Sequence, residues 1–176
     1  MKAMSGNESR FAAWMVAHGG ILAKIARSHA RGERERADLE RELAYQVWLS
    51  EPRFAGQSAA STWIYRVCLN TAFTWRRNTG RREQRTDHEA DLGTLASGLP
   101  GPAATTERND LLDRIYTALQ ALPDSDRSLL LLQLDGLAYR EIAEITGLTE
   151  NHVGVALNRA RQRLKAQMKG ILDEMA

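Results

Sequence analysis

The chain contains few of the residues on which metal sites and covalent catalysis depend. Its 176 residues include one cysteine and four histidines, and only 6% of them are aromatic. A single cysteine excludes an internal disulfide, and the scattered histidines form no pair at zinc-ligand spacing. No acid–base or nucleophile constellation stands out either. The composition therefore predicts a protein that needs no metal and no cofactor and that is not an enzyme.

Long apolar segments are also missing. No run approaches the roughly 20 residues that a membrane-spanning helix needs, and the first residues lack the apolar centre of a signal peptide. We therefore expect no membrane insertion and a cytoplasmic location. In that reducing compartment Cys68 is expected to be a small buried apolar residue.

Charge is nearly balanced overall, at a formal net charge of +2, but it is unevenly distributed. Residues 1–80 hold 12 lysines and arginines against 7 acidic residues. Residues 81–107 are weakly acidic, and the remainder separates its charges locally. This distribution is typical of a protein that meets a polyanion at selected surfaces.

Apolar residues recur at helical spacing over most of the chain, and no segment has the pattern of a strand. The pattern predicts an all-α fold of two small helical domains joined by a flexible linker. The predicted bounds are residues 10–80 and 108–174 for the domains and 81–107 for the linker, which contains GLPGPAATT. The Gly19-Gly20 pair leaves open whether the first helix is kinked or divided.

Residues 138–164 have the pattern of a helix, a tight turn and a second helix. Gly147 supplies the turn, because a residue without a Cβ adopts a left-handed backbone conformation at low cost. The hydroxyl of Thr149 can accept a hydrogen bond from the free amides that open the next helix. Along that helix Val153 begins an apolar stripe at steps of three and four residues. Together these features predict a helix-turn-helix.

The opposite face of that second helix is polar and basic, with no acid between Asn151 and Leu172. Amide and guanidinium groups read base edges in the major groove, and cations neutralise phosphates, so we predict that this face binds DNA. The other interpretation is an ordinary helical hairpin with a solvated basic end. The predicted DNA-binding residues are Thr149, Asn151, His152, Val155, Asn158, Arg159, Arg161 and Arg163.

One helix of the first domain combines aromatic, amide and cationic side chains on one side. Trp63, Arg66, Asn70 and Arg77 follow one another at steps of three, four and seven residues. Single-stranded DNA binding needs rings to stack on, amides that bond to bases and cations along the backbone. In the alternative interpretation Trp63 is a core aromatic residue and Asn70 caps a loop.

An acidic pair precedes an aromatic residue on another helix of the first domain. Asp38 and Glu42 lie one helical turn apart, so both carboxylates can face a basic partner. Trp48, further along that helix, would add an aromatic anchor of the kind that dominates interface energies. The alternative is an ordinary solvated face.

These motifs, in this order, resemble the extracytoplasmic-function (ECF) sigma factors of bacterial RNA polymerase. The resemblance covers roughly residues 10–80 and 108–170. The segment DLERELAYQVW is similar to the family helix that docks on the clamp of the polymerase largest subunit, with Arg41 where the family has glutamine. The segments RFAGQS and STWIYRVCLNTAFTWRR resemble the loop and helix that melt and read the promoter −10 element.

The second domain resembles the part of the family that reads the −35 element. The matching segments are LPDSDRSLLLL, AYREIAEITGL and VGVALNRARQRL. Gly154 and Ala156 stand where recognition helices of the family often carry cations. The resemblance implies that the domains are sigma domain two and sigma domain four, and that the DNA-binding residues of the helix-turn-helix read the −35 element.

The resemblance also implies partners and the residues that contact them. The implied partners are core RNA polymerase, through its clamp and flap, promoter DNA and an anti-sigma factor. The residues implied for core polymerase binding are Asp38, Leu39, Arg41, Glu42 and Trp48. Those implied for −10 DNA binding are Phe54, Ser58, Ser61, Trp63, Arg66, Asn70, Arg76 and Arg77. The linker residues Asp87, Glu89 and Asp91 either follow a polymerase channel or belong to a solvated spacer.

We therefore predict a promoter-specificity subunit that binds core polymerase, recognises the −35 duplex and opens −10 DNA. The alternative within DNA binding is a conventional helix-turn-helix regulator, which binds duplex DNA independently of polymerase and normally dimerises. A helical enzyme is the third hypothesis. It is disfavoured because paired catalytic carboxylates, a phosphate-binding glycine loop and a metal cluster are missing.

Overall fold

A computed structural model of the protein describes residues 6–86 and 103–173, with the side chains of residues 9–79 and 112–169. Within these ranges all regular structure is helical, which confirms the all-α prediction. The helices are α1 (Gly6–His29), α2 (Gly32–Ser50), α3 (Ala60–Thr86), α4 (Ala103–Gln120), α5 (Asp124–Leu134), α6 (Tyr139–Thr146) and α7 (Glu150–Asp173), with a 3-10 turn at Glu51–Arg53.

Helices α1, α2 and α3 pack on one another and form a first module. On α2 the completely buried residues are Leu39, Leu43 and Val47, which recur every four residues and so form one stripe along the helix. They share a core with Ile64 of α3. Cys68 lies in the same core, and burial raises the pKa of its thiol to about 12. The thiol is therefore a small apolar core group, as the sequence predicts.

Helices α4 to α7 form a second module, in which α7 packs against the other three. A buried arginine organises the start of this module. The guanidinium of Arg127 donates hydrogen bonds to the carbonyl oxygens of Leu119, Gln120 and Leu122, at 2.9, 2.8 and 2.7 Å. Its Nη1 also lies 2.9 Å from a carboxylate oxygen of Asp124. Burial lowers the pKa of Arg127 to about 10, so the group is still charged at neutral pH.

The two modules pack against each other, and their buried residues form one contiguous cluster. The side-chain amide of Gln120, at the end of α4, donates to the carbonyl oxygens of Arg27 and Ala30, both at 2.9 Å. The guanidinium of Arg27 lies 2.5 Å from a carboxylate oxygen of Asp113 and 4.5 Å from the ring centroid of Tyr116. The last turn of α1 is therefore held by α4.

Two helices extend into the segment for which the sequence predicts a linker. Helix α3 runs to Thr86 and α4 begins at Ala103, inside the predicted bounds of 81–107. The added residues include no large apolar side chain, so they carry no apolar periodicity, although the arginine, glutamate and glutamine of α3 and the alanines of α4 are good helix formers. Helix α1 continues through Gly19 and Gly20, which settles the question of a division there. The acidic residues Asp87, Glu89 and Asp91 lie outside the described residues.

A histidine is buried at the end of α1. His29 is 2% exposed, and its Nδ1 lies 2.8 Å from the hydroxyl of Ser28 and 3.1 Å from the carbonyl oxygen of Ile25. Its Nε2 has no hydrogen-bond partner among the described residues. Burial, reinforced by the positive charge of Arg127, lowers the pKa of His29 to about 4. The folded protein therefore holds this imidazole neutral.

We expect the free energy of unfolding to fall as the pH drops from about 6.5 to about 4. The unfolded imidazole takes up a proton near its ordinary pKa of 6.5, whereas the folded one stays neutral down to about 4. The unfolded state binds more protons across this window, so the contribution of His29 to the loss reaches about 3 kcal/mol at pH 4. Urea unfolding at a series of pH values measures it.

The matched variants are His29→Gln and His152→Gln, which remove a buried and an exposed histidine. His29→Gln should lose less stability over this window than the unsubstituted protein, and His152→Gln should lose as much. Equal losses in His29→Gln and the unsubstituted protein would contradict the assignment.

Candidate nucleic-acid interface

The turn between α6 and α7 follows from two local features. Gly147 has a positive φ of 75°, and its amide donates to the carbonyl oxygen of Ala143 at 2.8 Å, which closes the last turn of α6. The hydroxyl of Thr149 then accepts a hydrogen bond from the amide of His152 at 3.3 Å. The side chain of Thr149 therefore caps the start of α7, as the sequence predicts.

Packing of the two helices decides which face of α7 points outward. Ile142 of α6 is completely buried, together with Val153, Leu157 and Ala160 of α7. These residues belong to the shared core, so the opposite side of α7 is exposed. The exposed residues of that side include Asn151, His152, Val155, Asn158 and Arg159. The face carries amide, imidazole, apolar and guanidinium groups, which suits contact with base edges.

The next cations of α7 are engaged within the module. Nε of Arg161 donates to the side-chain oxygen of Gln133 at 3.1 Å. Arg163 forms an ion pair with Asp126, which is itself almost buried. Both arginines remain largely exposed, so they can still approach a phosphate. Their internal partners fix where their charges lie.

A tyrosine from α6 lies against α7, next to its exposed side. The ring of Tyr139 is the nearest group to the position that a Cβ on Gly154 would occupy, at 3.4 Å. Its hydroxyl also lies 3.5 Å from a guanidinium nitrogen of Arg161. Because Gly154 has no side chain, the aromatic ring takes up part of the surface next to Val155. Tyr139 carries no signal in the sequence, because its position depends on the glycine opposite it.

A small cavity in the first module is lined by aromatic and polar groups. Phe54, Ser58, Trp63 and Arg66 lie around a volume of about 220 Å³. The Phe54 and Trp63 rings meet edge to face, with centroids 5.8 Å apart. The indole nitrogen of Trp63 is buried and has no hydrogen-bond partner among the described residues. This cavity therefore offers ring surfaces, whereas the indole nitrogen itself is buried behind them.

Asn70 borders a different and larger cavity, of about 480 Å³, between α2 and α3. Glu42, Gln46, Thr74 and Trp75 also line it. The side-chain amide of Gln46 donates to the carboxylate of Glu42 at 2.8 Å. Glu42 therefore lies beside the α2–α3 groove.

The outer surface of α2 has an ion pair followed by an aromatic pair. Arg41 donates to the carboxylate of Asp38 in the first of these. Tyr45 and Trp48 are both exposed, and their rings stack with an interplanar angle of 26° and centroids 6.1 Å apart. Aromatic residues are exposed together here without a partner among the described residues, which is typical of an interface.

The part of the chain that the structure describes contains neither a metal site nor a membrane-spanning helix. No group of three or more histidine, cysteine, aspartate and glutamate side chains there is placed to hold a metal ion. No described helix is both long enough and apolar enough to cross a membrane.

Known proteins share both the sequence pattern and the architecture. Residues 112–164 match the family Sigma-70, region 4. The chain is 28% identical over 142 residues to the ECF RNA polymerase sigma-E factor of Haemophilus influenzae, covering 77% of this chain and 75% of that protein. It is 27% identical over 161 residues to the RNA polymerase sigma-H factor of Pseudomonas aeruginosa, covering 88% and 83%. Both relatives are sigma factors of RNA polymerase, and this chain is similar to them over most of its length.

Two solved structures share the fold of this chain. CnrH, solved in complex with the cytosolic domain of CnrY, matches 94% of this chain and 91% of its own, with a TM-score of 0.65 and 23% identity. RpoE of Bartonella quintana, solved in complex with the anti-sigma factor NepR, matches 91% and 97%, with a TM-score of 0.68 and 21% identity. The matched portions include the first module, which the family match does not reach.

The structure brings some of the sequence-predicted site residues together and separates others. Phe54, Ser58, Trp63 and Arg66 share one cavity. Other members of the predicted −10 set lie elsewhere: Asn70 borders the groove beside α2, Ser61 lines a cleft between the modules, Arg76 forms an ion pair with Asp124 at 3.3 Å, and Arg77 donates to Thr74 at 3.3 Å.

One predicted polymerase-binding residue is not at the surface. Leu39 is completely buried, so it holds α2 on the core and has no surface to offer a partner. Leu39 is therefore a residue of the hydrophobic core. Tyr45 was not selected from the sequence, although its spacing of three residues from Trp48 is the signal that would have indicated a shared face.

Two glycines of the second module should respond in opposite directions to substitution by alanine. Gly154 lies inside α7 and its nearest neighbour is at ordinary contact distance, so Gly154→Ala should raise the free energy of unfolding by about 0.5–1 kcal/mol. Gly147→Ala should lower it, because the φ of 75° is unfavourable for a residue with a Cβ. Thermal unfolding of both variants measures the two effects. A loss of stability in Gly154→Ala would contradict the described contact with Tyr139.

Proposed function

We propose that this chain binds core RNA polymerase and directs promoter recognition, opening of −10 DNA and transcription initiation. The observation that carries the proposal is the combination of two surfaces in one sigma-factor fold. One is the outward face of α7, and the other is the aromatic cavity between α3 and the loop that precedes it. In this function the chain supplies recognition and performs no catalytic step. We place it in the cytoplasm, with the polymerase and the DNA.

The second module would read the −35 duplex through α7. Asn151, Asn158 and Arg159 are exposed on its outward side, where amides and a guanidinium can bond to base edges. Arg161 and Arg163, further along, would meet phosphates rather than bases. Thr149 contributes by holding the N-terminus of the helix, whose positive end favours a nearby phosphate.

The first module would hold a base that has left the −10 duplex. Unstacking a base costs a few kcal/mol, so the pocket must return a similar amount through stacking and hydrogen bonding. Phe54 and Trp63 offer ring surfaces, and Arg66 offers a cation. Asn70, Arg76 and Arg77 lie further along α3 and would follow the strand beyond the cavity.

The outer surface of α2 would dock on the polymerase clamp. The stacked rings of Tyr45 and Trp48 form a rigid apolar anchor, and the Asp38–Arg41 ion pair lies at its edge. Glu42 borders the adjoining groove and adds negative charge next to this surface. An anti-sigma factor is a further proposed partner, because the similar structure of RpoE was solved with the anti-sigma factor NepR.

Run-off transcription with core polymerase over a library of promoter sequences tests the proposal directly. We expect initiation from a subset of templates only when the protein is added. Core polymerase that initiates no better with the protein than without it, on every template, would refute the function. Tight and selective binding to duplex DNA without polymerase would instead favour a conventional helix-turn-helix regulator.

Substitutions on α2 should weaken binding to core polymerase without unfolding the protein. Trp48→Ala removes half of an exposed aromatic pair, and we expect a loss of affinity of at least about tenfold. Glu42→Arg reverses a charge next to the same surface and should also weaken binding. Affinity can be measured by titrating labelled protein with core polymerase, with circular dichroism as the check on folding.

Glu40→Arg is the matched control for Glu42→Arg. It makes the same charge change two residues away, which is on the opposite side of a helix. The control should bind core polymerase like the unsubstituted protein. Unchanged affinity in both Trp48→Ala and Glu42→Arg would remove the docking assignment from α2.

A further inference from the structure

The recognition face contains one apolar side chain that is left in the open. Val155 is 58% exposed in the middle of the outward side of α7. Its neighbours one turn before and after on the helix are all exposed and polar: Asn151, His152, Asn158 and Arg159. The adjacent residues, Gly154 and Ala156, are too short to cover it. The isopropyl group is therefore free to touch whatever the helix approaches.

The major groove offers one apolar group on its base edges, the C5-methyl of thymine. An isopropyl group has no donor or acceptor, so it cannot bond to the other positions that a base edge presents. Contact between the two groups removes apolar surface of both from water. The short side chain of Ala156 adds little bulk between the helix and the bases, while the ring of Tyr139 fills the place beside Gly154. The charged and hydrogen-bonding side chains of this face lie on both sides of Val155.

We propose that Val155 is a specificity-determining residue that reads the methyl group of a thymine in the −35 duplex. The proposal rests on the proposed function of the second module, and it adds a base preference to it. Loss of the methyl contact should cost about three- to fourfold in affinity, the value of burying one methyl-sized group. The preference concerns one position of the site.

Deoxyuridine substitution is the direct test, because deoxyuridine lacks only the C5-methyl and keeps the hydrogen-bonding edge of thymine. Holoenzyme assembled from core polymerase and the full chain would be titrated with a duplex promoter obtained from the run-off library. Each thymine of the −35 region would be replaced in turn. We expect a three- to fourfold loss at one position, and no such loss at that position for holoenzyme with Val155→Ala.

Val16→Ala is the matched control, since Val16 is 90% exposed on α1 and lies outside the recognition helix. It should keep the full discrimination between thymine and deoxyuridine. The inference is overturned if no thymine replacement weakens binding, or if Val155→Ala discriminates as strongly as the unsubstituted chain. Holoenzyme that selects promoters but ignores the methyl defeats this inference alone, whereas holoenzyme that selects no promoter defeats the proposed function.

Discussion

The end of α4 is the place on which both modules depend. The last carbonyls of a helix have no intrahelical donor, and no glycine follows Gln120 to cap this one. Arg127 supplies the donors from its buried guanidinium, and the backbone of Gln120 is one of the groups it holds. The side chain of Gln120 then satisfies two carbonyls at the end of α1. The guanidinium of Arg127 thus satisfies carbonyl groups at the end of α4 directly. It also positions Gln120, whose side-chain amide satisfies the carbonyl groups at the end of α1. Loss of either group leaves buried acceptors unpaired, a change that costs on the order of several kcal/mol for a charged partner.

These contacts at the end of α4 determine where the two proposed binding surfaces, on α7 and around the cavity of Trp63, lie in the fold. With α4 fixed against α1, the turn after α5 reaches Tyr65 and the end of α6 reaches Arg66. Helix α7 lies on the far side of α6, so its polar face stays exposed. The same packing therefore leaves the outward face of α7 exposed and places α6 beside the cavity of Phe54 and Trp63.

Local chemistry explains which features could be predicted from the sequence. Gly147 and Thr149 act on their own neighbours in the chain, so their turn and cap follow from residue type and spacing. The separation of Asn70 from Trp63 could not be read in that way. Helical spacing puts both on one side of α3, but α2 and the preceding loop divide that side into two cavities. The contact of Arg66 with Glu144 is also invisible in the sequence, because its acceptor is a backbone carbonyl, which every residue has, 78 positions away. Leu39 shows the opposite case, since helical periodicity marks it as a core residue while the docking motif marks it as a contact.

Helix α7 has few cations that could give affinity for phosphates, and several side chains that could distinguish bases. Residues 150–160 contain one cation, Arg159, and the next two arginines have partners within the module. Salt-dependent affinity for DNA grows with the number of phosphates that cations neutralise, so this helix alone should bind duplex DNA weakly. Weak binding of duplex DNA by α7 is sufficient when the polymerase holds the helix next to the promoter, because tethering gives it a high effective concentration. Base-edge contacts then carry a larger share of the discrimination, and a single methyl contact at Val155 becomes a measurable part of it. The same low affinity would keep the free protein from occupying DNA on its own.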